Sequence, residues 1–559
     1  MANTERRVTG RRGAAEGDGY GGGAAEWAGA AHGNPVVPPG PRSPRDVVTP
    51  PVVRRLVSAV AASGDAPPIT VVAPATGGVL ARLPRSTEAD VERAADAARA
   101  AQRAWARLPV RARCGVLLRF HDLVLRHREE LLDLVQAETG KARHHAHEEV
   151  LAVAMAARHY AVTAPRRLRD RVRPGALPGL TAVREVRHPK GLVGLVSPWN
   201  YPLELAVSDA LPAFAAGNAV LAKPDSQTAL TALRGRELLV RAGLPADLWQ
   251  VVLGDGPEVG PMVVDRADYV GFTGSTATGR EVARRAAGRL VGAGLELGGK
   301  NAMLVLADAD PDRAARGAVV ACFGSAGQLC VSVERIYVHS SLREAFLERF
   351  AARVRAMRLG VGIGYGADMG TLTSARQLAT VVRHVADAVA GGAEVVAGGR
   401  ARPDVAPFAH EPTVLVGVRP QMAVHAEETF GPVVSVYSFD DEEEAVREAN
   451  ATPYGLNASV WTADPRRGAA LARRLRAGTV NVNDGYAAAY GSVAAPMGGM
   501  GQSGLGRRHG AEGLLRYTET QTVAVQRVVP LSGPPGVPER VWDAALARGL
   551  RVLKALRLP

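Results

Sequence analysis

The chain has 559 residues, of which 47% are hydrophobic and 22% charged, and its formal net charge is +13. This length allows several domains with a large core, and no run of 18 apolar residues predicts a membrane span. Three cysteines exclude a disulfide framework and indicate a reducing cytoplasm. The basic residues are spread along the chain, which argues against specific nucleic-acid binding.

Both ends of the chain differ in composition from the region between them. Residues 1–51 are rich in Gly, Pro, Ala and Arg without an apolar secretion-signal region, and we expect a disordered tail. Residues 531–559 are predicted to form a linker and a short basic amphipathic helix. We expect this helix to pack on its own protein, with a weak membrane or partner contact as the alternative.

Helical and strand-like segments alternate between these ends. Thr87 and Asp90 predict a helix N-terminus, and a second apolar-periodic segment extends from Val116 to Val135. Predicted strands follow at 192–196, 219–222, 251–253, 269–272, 302–306, 335–339, 433–439, 458–461 and 479–482, with helical segments such as 230–242 between them. This order predicts two α/β domains, the first with a parallel, doubly wound sheet.

Two glycine-flanked segments contain a candidate nucleophile and a candidate base. Cys330 follows Gly327, and Glu296 precedes Gly298 and Gly299. A thiol that forms a thioester needs a carboxylate to activate the water that releases the product. Because a single cysteine is usually inert core and a single glutamate is usually solvated, the hypothesis depends on both being present.

Two turns after predicted strands indicate a nucleotide site. Gly274 and Ser275 follow the strand 269–272 and open a helix, whose amide groups can hold a phosphate. Lys223 follows the strand 219–222 and can reach a ribose or a phosphate. The GxGxxG spacing is missing, so an ordinary turn and a solvated lysine are the alternatives.

Seven segments in the order of the chain resemble the aldehyde dehydrogenase superfamily across residues 67–527. They are SPWNYP (197–202), KPDS (223–226), FTGS (272–275), LELGGK (295–300), GQLC (327–330), ETFGP (428–432) and SGLGR (503–507). Within the family, the chain most resembles the bacterial NADP-type succinate-semialdehyde dehydrogenases, through KPDS, GQLCVS (327–332) and PMGGM (496–500).

The resemblance implies the aldehyde dehydrogenase fold, which is an α/β fold with a Rossmann-like cofactor domain. That domain would comprise 52–165 and 189–297, followed by an α/β catalytic domain at 298–502. A small β oligomerisation hairpin would be formed by 166–188 and 503–530, with a strand-like segment at 518–526. This arrangement implies a homodimer or tetramer.

The resemblance also implies roles for individual residues. Cys330 would attack the aldehyde, Asn200 and the Cys330 N–H would stabilise the oxyanion, and Glu296 would activate water. The cofactor, NADP or NAD, would be bound by Trp199, Lys223, Asp225, Ser226, Gly256, Gly274, Ser275, Leu297, Glu428 and Phe430. No metal is expected.

Position 226 favours NADP. Many NAD-preferring family members carry a glutamate there, and Ser226 removes a charge that would repel a 2′-phosphate. The neighbouring Asp225 keeps NAD as an alternative.

The implied reaction is oxidation of succinate semialdehyde to succinate, although two departures from the family pattern concern the substrate. Gly324 stands where some of these enzymes carry an arginine for the substrate carboxylate. Arg335 follows Cys330 in the chain, but the sequence does not place its side chain near the substrate. Met497 and Gly501 replace Phe and Lys in the segment 496–501. A broad-specificity, medium-chain or aromatic aldehyde dehydrogenase is therefore the alternative.

Two further functions are disfavoured by the same residues. A CoA-acylating enzyme transfers its thioester to CoA and does not need Glu296 to activate water. A non-catalytic protein that binds nucleic acid or a partner does not need Cys330, Glu296 and Asn200 together.

Overall fold

A computed structural model of the protein describes residues 33–38, 40, 42–64, 66–175, 181–527 and 529–557. Its strands are β1 (Ile69–Val72), β2 (Val79–Leu83), β3 (Arg171–Arg173), β4 (Thr181–Pro189), β5 (Leu192–Ser197), β6 (Ala219–Pro224), β7 (Trp249–Val251), β8 (Tyr269–Thr273), β9 (Gly292–Glu296), β10 (Asn301–Val305), β11 (Val333–His339), β12 (Glu394–Ala397), β13 (Thr413–Val416), β14 (Val433–Phe439), β15 (Asn457–Trp461), β16 (Thr479–Val482), β17 (Gly504–Leu505) and β18 (Thr518–Gln526).

The helices precede, separate and follow these strands. They are α1 (Pro44–Val47), α2 (Pro50–Val57), α3 (Glu88–Arg107), α4 (Val110–Arg126), α5 (Arg128–Thr139), α6 (Arg143–Arg167), α7 (Pro202–Val207), α8 (Ala210–Ala216), α9 (Ala229–Arg241), α10 (Gly256–Arg266), α11 (Thr276–Gly288), α12 (Pro311–Phe323), α13 (Arg343–Ala356), α14 (Ala375–Ala390), α15 (Ala423–Ala426), α16 (Glu442–Asn450), α17 (Pro465–Ala472), α18 (Ala487–Tyr490), α19 (Glu512–Leu515) and α20 (Glu539–Ala555). Thr87 caps α3 as the sequence predicts, because its side chain accepts a hydrogen bond from the Asp90 N–H.

The first large sheet has the strand order β17–β9–β8–β5–β6–β7. Strands β5 to β9 are parallel, and β17 is antiparallel to β9. The chain passes from β5 through β6 to β7 and then returns to β8 on the other side of β5. The strand order therefore reverses between β5 and β8, which is where doubly wound sheets bind their ligands.

The second large sheet has the order β12–β13–β14–β11–β10–β15–β16 and is parallel except for β12. Its inner strand β10 is buried along its whole length, as expected for a parallel strand covered on both faces. The prediction of an α/β fold with two such sheets is confirmed.

A third, antiparallel sheet has the order β18–β4–β3. Nine residue pairs join β18 to β4, from Thr518 opposite Pro189 to Gln526 opposite Thr181. It is smaller than the element predicted from 166–188 and 503–530. Arg166 and Arg167 end helix α6, and β17 belongs to the first large sheet.

The prediction of a disordered tail at 1–51 is wrong in its last part, and residues 1–32 lie outside the described residues. The Asn34 side-chain amide donates to the carbonyl oxygens of Val354 and Met357, at 2.6 and 3.2 Å. Val48 and Leu56 are buried in the hydrophobic core that packs against the first large sheet. A few well-placed side chains therefore order a segment whose average composition indicates disorder.

The predicted C-terminal helix is present as α20, but the expectation that it packs on its own protein is wrong for the described residues. None of its side chains is buried. Two other boundaries differ as well: the strand predicted at 251–253 lies at Trp249–Val251, and the helical segment 116–135 is divided at His127.

Candidate active site

A cavity of about 210 Å³ lies where the strand order reverses, between the ends of β5 and β8. It brings together the three predicted catalytic residues, Cys330, Glu296 and Asn200. Its other lining residues are Pro198, Trp199, Leu205, Thr273, Gly274, Ser275, Leu297, Gly298, Arg376, Gln377, Glu428 and Phe430. Residues from both large α/β domains, far apart in sequence, thus share one space.

The nucleophile loop before Cys330 has an unusual backbone. Ser325, Ala326 and Gly327 have φ angles of 52°, 56° and 71°, in the left-handed region. A Cβ atom on Gly327 would lie 2.1 Å from the Gly431 carbonyl oxygen, so only glycine fits there. The Asn301 side chain donates to the Cys330 carbonyl oxygen at 2.8 Å. The loop is therefore fixed on both sides of the sulfur.

Asn200 is buried and fixed by polar contacts. Its side-chain amide donates to the Gln328 carbonyl oxygen at 2.9 Å, in the residues just before the nucleophile. A primary amide has two N–H bonds, so a second donor is available for an oxyanion. The backbone oxygen of Asn200 accepts a hydrogen bond of 2.6 Å from Lys141 Nζ. Lys141 in turn pairs with the buried Glu149 at 2.7 Å.

Glu296 ends strand β9 and is buried. Among the described residues, its Oε1 atom has no hydrogen-bond partner. Burial raises the pKa of this carboxyl to about 8, and the Arg508 and Arg516 charges oppose the increase. Near neutral pH the side chain is therefore mostly a neutral acid, and it becomes a base as the pH increases.

Burial also raises the pKa of the Cys330 thiol, to about 12, and the negative charges of Glu296 and Glu428 add to the increase. Arg508 opposes it. Burial similarly raises the pKa of Cys114, to about 11. The pKa alone therefore does not distinguish the candidate nucleophile. What distinguishes Cys330 is its position in the wall of the cavity.

Glu428 and Phe430 lie on a loop held by a second buried ion pair. The Glu334 carboxylate pairs with Lys300 Nζ at 2.6 Å and accepts hydrogen bonds from the Thr429 and Phe430 N–H groups. Phe430 has a φ of 51°, and its ring meets the Trp199 ring edge-on, with centroids 5.6 Å apart. This contact forms one end of the cavity.

The Glu428 carboxylate is placed by glycines 298 and 299. Its Oε1 atom accepts a hydrogen bond of 3.0 Å from the Gly299 N–H. A Cβ atom on Gly298 would lie 2.2 Å from Oε2, so a side chain there would displace the carboxylate. Burial raises the pKa of Glu428 to about 8.

The predicted nucleotide-binding residues lie along one edge of the sheet. Lys223 is the last residue but one of β6, is buried, and has no hydrogen-bond or ion-pair partner in the described part of the chain. Asp225 accepts a hydrogen bond from the Gln227 N–H, and the Ser226 hydroxyl donates to the Gly254 carbonyl oxygen. Gly256 begins α10, and nothing lies within 4 Å of where its Cβ would be. An unpaired buried ammonium beside open backbone fits a nucleotide's ribose and phosphate.

The remaining predicted residues surround the N-terminus of α11. Ser275 caps this helix, accepting a hydrogen bond from the Thr278 N–H at 3.3 Å. The Thr276 hydroxyl is buried without a partner among the described residues. Leu297 packs against Gly279, where a Cβ atom would lie 2.4 Å from its Cδ2. Free N–H groups at the start of a helix fit a pyrophosphate.

Several residues that build the site are missing from the sequence prediction. The pairs Lys141–Glu149 and Lys300–Glu334 hold Asn200 and the Phe430 loop. Gln377 donates to the carbonyl oxygens of Thr429 and Phe430 and also lines the cavity. Within the described residues, no group of acidic, His or Cys side chains could hold a metal ion.

We predict that release of an acyl group from Cys330 increases with pH. Because the pKa of Glu296 is raised to about 8, the base form is lost as the pH falls below 8. The rate should increase about tenfold per pH unit below that value and level off above it. The measurement is single-turnover deacylation: an activated ester first acylates Cys330 without hydride transfer, and release of the acyl group is then followed as a function of pH. A profile with its inflection near the ordinary glutamate pKa of about 4.3 would contradict the prediction.

The chain is similar to known proteins over most of its length. The aldehyde dehydrogenase family profile matches residues 60–523. A Mycobacterium tuberculosis (strain ATCC 25618 / H37Rv) protein named "Putative succinate-semialdehyde dehydrogenase (NADP+) 2" is 52% identical over 481 residues, covering 86% of this chain and 93% of that protein. Among solved structures, an NAD-dependent aldehyde dehydrogenase from Sinorhizobium meliloti has a TM-score of 0.81 and 33% identity, covering 86% and 94% of the two chains. The structure of an NADP-dependent enzyme of E. coli has a TM-score of 0.79 and 33% sequence identity, and the match covers 82% of this chain and 95% of that one.

Proposed function

Because this chain belongs to the aldehyde dehydrogenase family, we propose that its own reaction is the NADP-dependent oxidation of succinate semialdehyde to succinate. The observation that carries the proposal is the cavity shared by Cys330, Glu296 and Asn200. The similarity to relatives named as succinate-semialdehyde dehydrogenases supports the choice of aldehyde and cofactor.

In the first half-reaction, the Cys330 thiol loses its proton to solvent, and the thiolate attacks the aldehyde carbon to form the oxyanion of a thiohemiacetal. The free N–H of the Asn200 amide and the backbone N–H of Cys330 stabilise the oxyanion. A nicotinamide cofactor, when held by the cavity residues Trp199, Glu428 and Phe430, would supply the hydride acceptor. Loss of hydride converts the thiohemiacetal into a thioester on Cys330. The fixed loop and the Asn301 contact hold the sulfur in place during both steps.

In the second half-reaction, Glu296 removes a proton from water, and the hydroxide attacks the thioester. The carbon–sulfur bond breaks, the acid leaves, and the Cys330 sulfur takes up a proton. The unpartnered Oε1 atom of Glu296 is available to accept the proton from water. This step needs no acceptor other than water, which distinguishes the mechanism from that of a CoA-acylating enzyme.

For cofactor choice, we predict that Ser226→Glu lowers kcat/KM for NADP+ at least about tenfold, equivalent to about 1.4 kcal/mol, and affects NAD+ much less. A carboxylate there would repel the 2′-phosphate, whereas Ser226 is uncharged and bonded to Gly254. Ser226→Ala is the matched control, because it loses the same hydrogen bond without adding charge. Equal losses with both cofactors for Ser226→Glu would contradict the assignment, as would a more than tenfold wild-type preference for NAD+.

A carboxylated substrate needs a cation near the nucleophile. Arg335 is unsuitable, because its guanidinium donates to the carbonyl oxygens of Lys300, Glu448 and Ala449. The candidate is Arg508, a buried guanidinium 3.1 Å from Glu204, whose Nε has no partner among the described residues.

A second candidate function is oxidation of a medium-chain or aromatic aldehyde. Its support is an apolar cluster around Cys330 that comprises Tyr201, Leu205, Leu329, Val331, Leu456, Tyr486 and Met497. Gly324 itself offers no cation at the position where some family members carry an arginine, and a Cβ atom there would lie 3.0 Å from the Tyr486 hydroxyl oxygen.

The test is an aldehyde panel measured with both cofactors. Succinate semialdehyde should exceed butanal, hexanal and benzaldehyde in kcat/KM by at least about tenfold. Butanal is the matched control because it has the same chain length without the carboxylate. A preference for butanal or benzaldehyde would replace the proposed substrate with the second candidate, and no oxidation of any aldehyde would contradict the reaction class.

We also propose a cytoplasmic homo-oligomer. A thiol nucleophile needs a reducing compartment. The third sheet has an open face with Val172, Val523 and Val525 exposed, and a second copy could cover it. Light scattering should therefore give a multiple of the chain mass.

A further inference from the structure

The last helix, α20, is exposed over most of its surface, and only Trp542, Leu546 and Leu553 are half-buried among its residues. None of its side chains is buried, and the Trp542 indole N–H donates to the Leu531 carbonyl oxygen at 2.8 Å. The strongly exposed large apolar residues of this region are Leu531, Val537, Val541, Leu550, Val552 and Leu556. A helix of 17 residues is marginal in water unless its apolar side is covered. We therefore expect the apolar side of this helix to bind another surface.

The side chains of α20 separate into two faces. At about 100° per residue, the tryptophan and leucine side chains fall within an arc of about 120°, and Val541 and Val552 lie at one border of this arc. This apolar face consists of Trp542, Leu546, Leu550, Leu553 and Leu556. The opposite face carries the basic residues Arg540, Arg548, Arg551 and Lys554. Tryptophan and leucine on one face with arginine and lysine on the other are typical of helices that lie in a membrane interface.

The charge of the segment indicates which surface it fits. Residues 539–557 contain five basic and two acidic side chains, within a chain of net charge +13. A second copy would bring the same positive charge to the contact, whereas an anionic lipid surface is complementary to it. We propose that α20 lies flat on an anionic lipid bilayer, with its apolar face in the acyl–headgroup boundary and its basic face toward the phosphates.

The helix would lie along the bilayer rather than cross it. Its 17 residues span only about 25 Å at 1.5 Å per residue, which is shorter than the hydrocarbon core. Among the described helices, none has the length and apolar character needed to cross a membrane. No described residue of α20 lines the cavity around Cys330, and the family profile ends at residue 523, before this helix.

The test is flotation of the full-length protein with lipid vesicles. One vesicle preparation contains phosphatidylcholine alone, and the other an equimolar mixture of phosphatidylcholine and phosphatidylglycerol. The variant is Leu550→Glu, which places a charge on the exposed apolar face. Ala547→Glu is the matched control, because it makes the same charge change at an exposed position of the basic face. Aldehyde oxidation in solution and the oligomer mass are measured for both variants.

We expect the wild type and Ala547→Glu to float with the anionic vesicles and not with the neutral ones. Leu550→Glu should bind the anionic vesicles at least about tenfold more weakly. Equal retention of the two variants would overturn the proposal, because attraction by net charge alone would then explain the binding. Absence of wild-type flotation would overturn it as well. A smaller oligomer for Leu550→Glu, without vesicle binding by the wild type, would assign the apolar face to a second copy.

Discussion

Replacing Cys330 with alanine should abolish aldehyde oxidation, with kcat reduced at least about 10⁴-fold. The reason is that the sulfur forms the bond to the aldehyde carbon, and the remaining groups of the cavity cannot replace that covalent step. Asn200 and Glu428 stay in place in this variant, because their contacts run to Gln328 and Gly299. The cofactor should therefore still bind, which titration of intrinsic fluorescence would check.

Cys322→Ala is the matched control for this variant. Cys322 is buried in the core of the catalytic domain, in helix α12, and burial raises its pKa well above the ordinary value. Its replacement should cost some stability through a small cavity but should leave the rate within a few-fold of the wild type. Substantial activity in Cys330→Ala, or loss of activity only in Cys322→Ala, would refute the assignment of the nucleophile.

Replacing Glu296 with glutamine should separate the two half-reactions. We expect one rapid equivalent of reduced cofactor, followed by steady-state turnover about 10²–10⁴-fold slower than in the wild type. The first step needs only the thiolate and the oxyanion donors, whereas hydrolysis needs the carboxylate as a base. Glutamine has nearly the shape of the protonated acid that burial favours near neutral pH, so the cavity should be preserved. Stopped-flow absorbance of the reduced nicotinamide measures both phases.

Glu428→Gln provides the comparison for Glu296→Gln. Glu428 is a second buried acid in the same cavity, and its pKa is also raised to about 8. Its replacement should weaken cofactor binding or slow the first phase, without a burst followed by slow turnover. A burst in Glu428→Gln and none in Glu296→Gln would show that the two roles are interchanged.

The sequence patterns predict the strands of the parallel sheets well because these strands are short, apolar and bounded by turns. Strands β14 and β16 have the bounds expected from sequence, as does β18 in the antiparallel sheet. The sequence does not predict strand β9, because Gly292 and Gly294 interrupt its apolar pattern. The end of the chain shows a different failure: the amphipathic pattern predicts helix α20 but cannot specify what covers it.

The sequence predicts those residues of the candidate site that belong to the seven family-like segments. Those segments include residues that line the cavity, such as Cys330 and Trp199. The buried pairs that fix them were not predictable, because Lys300 and Glu334 are 34 residues apart and neither differs in sequence from a solvated surface residue. Only the folded chain shows that their charges are buried together. Removing one of the two side chains would leave the other as an unpaired buried charge and would destabilise the fold.

We propose that Cys330 carries the acyl group that Glu296 helps to release. The most direct measurement is mass spectrometry of Glu296→Gln after rapid mixing with succinate semialdehyde and NADP+ and an acid quench. The account predicts a succinyl adduct on the peptide that contains Cys330, and none when the cofactor is omitted and unreacted aldehyde is washed away. An unmodified Cys330 in a variant that has released its equivalent of reduced cofactor would contradict it.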